Sequence, residues 1–152
     1  MKSLEDQGAQ RELAARLKKI DASSTRRWGS MTAHQMVCHL DDSFKIVMGE
    51  RPCGSRTNIF MRTAGRWIAL HTPIGWPQGV KTLPEADQRI GGTKPAEFAR
   101  DMASMLRTMD RFMAANRDFS FAKHPIFGQL TDAECLVWGY RHVDHHLQQF
   151  GA

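Results

Sequence analysis

No stretch of the chain approaches the ~20 consecutive apolar residues that crossing a bilayer takes, so no membrane partner is expected. The first residues, MKSLEDQGAQRELAARLKK, are charged throughout and lack the apolar centre of a secretory signal. Cysteine is scarce. Cys38, Cys53 and Cys135 are an odd number at wide spacing with no CxxC, which predicts reduced thiols in a cytoplasm and no disulfide framework. β-branched residues are few and nowhere alternate over a useful length, so no strand is expected. No block of five like charges occurs; the tightest pairs are Lys18-Lys19 and Arg26-Arg27. With a net charge of only +5, the chain lacks the basic stripe of a nucleic-acid binder, and the mild excess suits an anionic small molecule. GxSxG, P-loop and GxGxxG motifs are all missing.

What remains is one domain's worth of chain, 152 residues with 41% apolar and 24% charged side chains. Five helical segments are predicted. The first covers about residues 3–20, on Leu4, Leu13, Leu17 and Ile20. The second opens on a capping box, Thr32 with Gln35, and runs to Met48 with Gly49 as its stop. A shorter third covers about 58–70. The fourth starts at Pro95 and runs to about Asn116, with Phe98, Met102, Met105, Met109 and Met113 at helical spacing. The fifth begins at a second capping box, Thr131 with Glu134, and ends at Phe150 before Gly151. The stretch 71–94, with Pro73, Pro77 and Pro84, reads as a long crossover. The expectation is one all-α bundle.

Seven histidines are present, three of them in HVDHH at 142–146. At about 100° per residue, Leu136, Tyr140, Val143, Leu147 and Phe150 form the apolar stripe of the last helix. His146 lies about 80° to one side of Leu136 and His142 about 120° to the same side. Four apart, the two stack on one face, the way a helix offers two imidazoles to a divalent ion. His145 falls about 180° away and should face solvent. In the second helix His39 and His34 both sit at stripe margins. His39 is mid-helix among apolar neighbours and His34 is in the frayed first turn, so His39 is chosen as the third ligand. A lone imidazole at a stripe border is ordinarily a hydrogen-bonded or surface residue, and His34, His71, His124 and His145 are read that way.

Three neutral imidazoles leave a coordination position open, the arrangement of a catalytic ion and not of a closed structural site. Zinc and nickel both accept imidazole. Asp42, three residues from His39, is the candidate acceptor to orient that ring; a solvated helix carboxylate is its plainer role. Trp76 can line a pocket mouth. Arg62, Arg66 and Arg141 are anion-binding candidates whose default is the solvated surface.

The segments RWGSMTAHQMVCHLDDSF (27–44), HPIFGQLTDAE (124–134) and WGYRHVDHHLQQFG (138–151) together resemble the DinB/YfiT-like superfamily, in its small branch of uncharacterised proteins. The resemblance implies a four-helix bundle, up-down-down-up with a long crossover, and a zinc or nickel ion on His39, His142 and His146. It also implies a metal-dependent enzyme of the thiol S-transferase or hydrolase type, with a small-molecule substrate, in some relatives a low-molecular-weight thiol, and a homodimer. The alternative is a non-catalytic metal- or ligand-binding bundle.

Overall fold

The computed structural model describes residues 1–152 and is all-helical. Six helices follow in order: α1 (Gln7–Leu17), α2 (Ala33–Val47), α3 (Ile59–Arg62), α4 (Ala64–His71), α5 (Phe98–Met113) and α6 (Asp132–Gln149), with a single 3₁₀ turn at Pro84–Ala86 in the crossover. There are no strands; His124 and Gly128 form one isolated bridge. No helix is long and apolar enough to cross a membrane, and all three cysteines are free.

Both capping boxes form. Thr32 and Thr131 each accept the backbone N–H three residues on, and Gln35 and Glu134 reach back to the cap N–H. Gly49 and Gly151 follow α2 and α6 at φ +78° and +75°, where an L side chain would be strained.

Several boundaries differ from expectation, and α1 and α5 also end about three residues early, at Leu17 and Met113. α1 starts four residues late because Asp6 accepts from Gly8 N at 2.8 Å and caps the helix there. Leu4 and Ile20, outside the helix, are buried all the same. α5 starts at Phe98, not at Pro95, because the Glu97 carboxylate takes the N–H groups of Ala99 and Arg100 at 3.0 and 2.8 Å. The expected third helix is two, broken at Thr63 (φ −119°, ψ −99°), whose hydroxyl turns back to donate to Ile59 O at 2.7 Å.

The four longer helices share one core. α2 packs on α5 and α6, and α1 packs on α6. Phe44 of α2 meets Phe112 of α5 at 4.7 Å between ring centroids and Trp138 of α6 at 6.0 Å. Leu13, Met36, Met105 and Leu147 are fully buried around them; each such side chain contributes about 1.5–3 kcal/mol. Gly139 lets α6 approach: a Cβ there would stand 2.7 Å from Leu4 and 3.0 Å from Phe112. This packing holds the α2 face bearing His39 against the α6 face bearing His142 and His146.

Candidate metal centre

His39, His142 and His146 converge, each offering a ring nitrogen within 4.8 Å of the other two. Their ring centroids lie 4.8–5.1 Å apart. Hydrogen bonds fix two of the tautomers. The Nδ1 of His39 lies 2.9 Å from Ala86 O. A carbonyl only accepts, so this nitrogen carries the proton and Nε2 keeps its lone pair. His146 Nδ1 donates to Gln149 Oε1 at 2.9 Å. Gln149 is itself oriented, because its Nε2 donates to Trp28 O at 2.9 Å.

His142 completes the set differently. Its Nε2 stands 3.1 Å from His39 Nε2, and its Nδ1 is buried with no partner. Any neutral tautomer leaves it poorly served. With the proton on Nδ1, two lone pairs face each other; with the proton on Nε2, a buried acceptor is orphaned. A cation between the Nε2 atoms turns the facing lone pairs into ligands and puts the His142 proton on Nδ1, which stays without a partner in the protein. In tetrahedral zinc sites with Zn–N of about 2.0–2.1 Å, ligand nitrogens stand about 3.3 Å apart, close to the separation observed. Burial pulls all three imidazoles below the usual histidine pKa; at His39 the Ala86 carbonyl and Asp42 work against it. Neutral imidazole is the form that ligates.

The cluster lines a cavity of about 460 Å³. The rest of the wall is largely apolar, including Trp76, Trp138, Ile68 and Phe127, and its single formally charged side chain is the exposed Lys81. Trp76, from the crossover, is held by its indole N–H on Ala69 O at 3.0 Å and lies 6.1 Å from the rings of both His142 and His145.

The remaining candidates are placed as follows. His145 is half-buried and not simply on the open surface: the rings of Trp28 and Trp76 lie 6.0 and 6.1 Å from it, and it lines the cavity. A helical wheel cannot show that the crossover folds over that side of α6. His34 pairs with Asp101 of α5 at 2.8 Å. With Cys38 these form a second group of ligand types, but the imidazole–carboxylate contact is a direct hydrogen bond and the same Asp101 oxygen takes Ala96 N. His71 meets Glu134 at 3.1 Å. Arg66 is engaged by Glu134, at 2.8 and 3.0 Å. Arg141 donates to the carbonyls of Thr72 and Ile74. Both tie α4 and the crossover to α6.

Asp42 makes no hydrogen bond to His39. Fully buried, it accepts from Thr93 N and Oγ1 at 2.7 and 2.6 Å and from Gln88 at 3.1 Å, and it meets Arg51 at 3.1 Å. It clamps the crossover that supplies Ala86 O, and so supports His39 through the backbone.

The family described as protein of unknown function (DUF1569) matches residues 2–152. The chain belongs to this family. No curated protein and no solved structure matches the chain. What this DUF1569 chain adds to the three histidines, Ala86 O and Gln149, was only partly legible in sequence. Ala86 O comes from a segment with no pattern of its own. Gln149 had a signal, since it lies three residues after His146 and thus on the same helix flank.

Proposed function

We propose that the protein is a metal-dependent enzyme whose divalent ion, zinc or nickel, sits on the Nε2 atoms of His39, His142 and His146. The observation that carries this reading is the pair of Nε2 atoms at 3.1 Å, with the outer nitrogens of His39 and His146 committed to Ala86 O and Gln149. When bound, such an ion supplies Lewis acidity to a water or thiol entering its open position. The chain's own part is to keep three imidazoles neutral, fix their direction and exclude bulk water with Trp76 and Trp138. The reaction class is thiol S-transfer or hydrolysis on a small molecule. The four longer helices support the up-down-down-up bundle that a DinB/YfiT-like kinship would give, with 71–94 as its crossover. Exposed Ile59, Phe60 and Trp67 support a homodimer.

The test is metal analysis of untagged protein, followed by assays with water alone and with bacillithiol, mycothiol or glutathione. Near one equivalent of metal, lost in His142→Ala, is expected. Less than a tenth of an equivalent, with melting unchanged by a chelator, overturns the reading. A non-catalytic ligand-binding bundle is the second reading, favoured by the cavity's apolar wall; ligand binding without turnover under all these conditions would establish it.

A further inference from the structure

His124 is a buried histidine outside the three-histidine cluster. It stands in a turn closed by two backbone bonds of 2.9 Å between itself and Gly128. Its Nδ1 accepts the N–H groups of Ile126 and Phe127 at 3.2 and 3.1 Å. A nitrogen that accepts has no proton, so the neutral ring carries its hydrogen on Nε2. The ring stacks on Phe127 at 4.9 Å and meets the Trp138 edge at 5.1 Å. Trp138 in turn lies 4.9 Å from His142. Burial lowers its pKa to about 3, so it does not become a cation near neutral pH. Nε2–H has no partner in the protein, and it is not among the sealed, unpaired polar atoms. His124 forms part of the wall of the cavity that the metal cluster lines. With Nδ1 tied into the turn, the edge left for a ligand is the Nε2–H edge.

We propose that this cavity binds an uncharged, mainly apolar small molecule carrying one acceptor oxygen, such as a carbonyl, and that His124 Nε2–H is the donor that fixes that oxygen. The volume, about 460 Å³, is roughly three times a cavity that takes one benzene. An aromatic body with a short carbonyl-bearing arm fits. No carboxylate or guanidinium lines the cavity, and its one ammonium, Lys81, is exposed to water. Buried polar groups discriminate strongly because leaving the donor unpaired is unfavourable. This assignment builds on the proposed function by naming its substrate class, but the donor does not need the ion.

The test uses metal-free protein and three matched probes: 2-acetylnaphthalene, 2-isopropenylnaphthalene and 2-naphthoate. Their dissociation constants are measured by tryptophan quenching in the wild type and in His124→Asn. Asparagine keeps an acceptor near the Nδ1 position for the turn and removes the Nε2 donor; His124→Phe, which keeps the stack on Phe127, serves if the asparagine variant does not fold. The ketone-to-alkene affinity ratio is expected to fall about three- to tenfold on substitution, the worth of one neutral hydrogen bond. The naphthoate is expected to bind more weakly than the ketone. An unchanged ratio overturns the donor assignment, and tighter binding of the naphthoate overturns the uncharged class. Because the protein is metal-free, these failures are distinct from failure of the metal reading, which a separate zinc titration reads.

Discussion

The Nε2 atoms of His39 and His142 stand 3.1 Å apart, one carried by α2 and the other by α6. The contact joins two residues 103 positions apart in sequence, so an ion that binds there also ties the helices together. Zinc at a hundredfold excess over its dissociation constant should stabilise the fold by about 2.7 kcal/mol, or roughly 5–11 °C in Tm for a domain of this size. A chelator should reverse the shift. His142→Ala should abolish it, while His34→Ala, whose ring pairs with Asp101 away from the cluster, should retain it. Scanning calorimetry with and without zinc checks this.

Gln149 is a positioning residue for His146, and its substitution should weaken metal binding without removing a ligand. In Gln149→Leu the His146 Nδ1–H loses its acceptor, and the ring loses the restraint that aims Nε2 inward. Loss of such an outer partner typically lowers metal affinity about 10–100-fold. Gln149→Glu keeps an acceptor for the imidazole and should recover much of the affinity, although it faces Trp28 O unfavourably. Competition with a chromophoric chelator measures both; equal losses in Leu and Glu variants would reduce Gln149 to a packing role.

The helices that bear the site were legible because their signals are local. Two capping boxes and two terminal glycines placed α2 and α6 to within a residue, and the i, i+4 spacing of His142 and His146 put both on one face. The parts that depend on distant chain were not. The helix breaks at Thr63 through its backbone angles (φ −119°, ψ −99°), which residue type alone does not reveal. His145 is half-buried because Trp76 of the crossover folds beside it, and a wheel treats each helix as solitary. Asp42 points into a network with Thr93, Gln88 and Arg51 that only the folded crossover creates.

Glu134 should make the fold acid-sensitive in a defined window. Burial opposes its charge, but the bonds from Thr131 N–H, His71, the Thr131 hydroxyl and Arg66 prevail and lower its pKa from 4.5 to about 2. A carboxylate depressed in the folded state stabilises it above the unfolded pKa, and that contribution is lost as pH falls through the folded pKa. The loss should therefore run from about pH 4.5 down to about pH 2. Glu134→Gln should be less stable at pH 7 and should show a shallower fall in Tm across that interval. Melting curves at half-unit pH steps test this; parallel curves for variant and wild type would refute it.

Gly139 should not tolerate even one added methyl. It lies at the centre of α6, and a Cβ would meet Leu4 at 2.7 Å and Phe112 at 3.0 Å. Gly139→Ala gains helix propensity of about 1 kcal/mol but overpacks the core, at a typical cost of about 1–3 kcal/mol. Because Leu4 and Phe112 are both fully buried, little relief is available, and net destabilisation of about 1 kcal/mol is expected in urea unfolding.

Asp42 offers the sharpest separation between support and ligation. Its carboxylate is fully buried and holds Thr93 and Gln88 beside Arg51. Asp42→Ala removes the acceptor for Thr93 N and leaves Arg51 without that counter-charge. Arg51 is 26% exposed and keeps its bonds to Glu85 O and Gly91 O, so the main loss is the buried acceptor for Thr93 and Gln88, about 1–3 kcal/mol. The crossover carrying Ala86 O should then loosen, so His39 loses its fixed tautomer as well. Asp42→Asn keeps an oxygen for Thr93 N and should restore part of the stability. Urea unfolding and zinc titration on the same preparations decide the matter. Stability should drop in both variants, more in Ala, while zinc affinity should track the order of the crossover and fall clearly only in Ala. Full stability in Asp42→Ala would show that the clamp is not needed to hold the crossover in place.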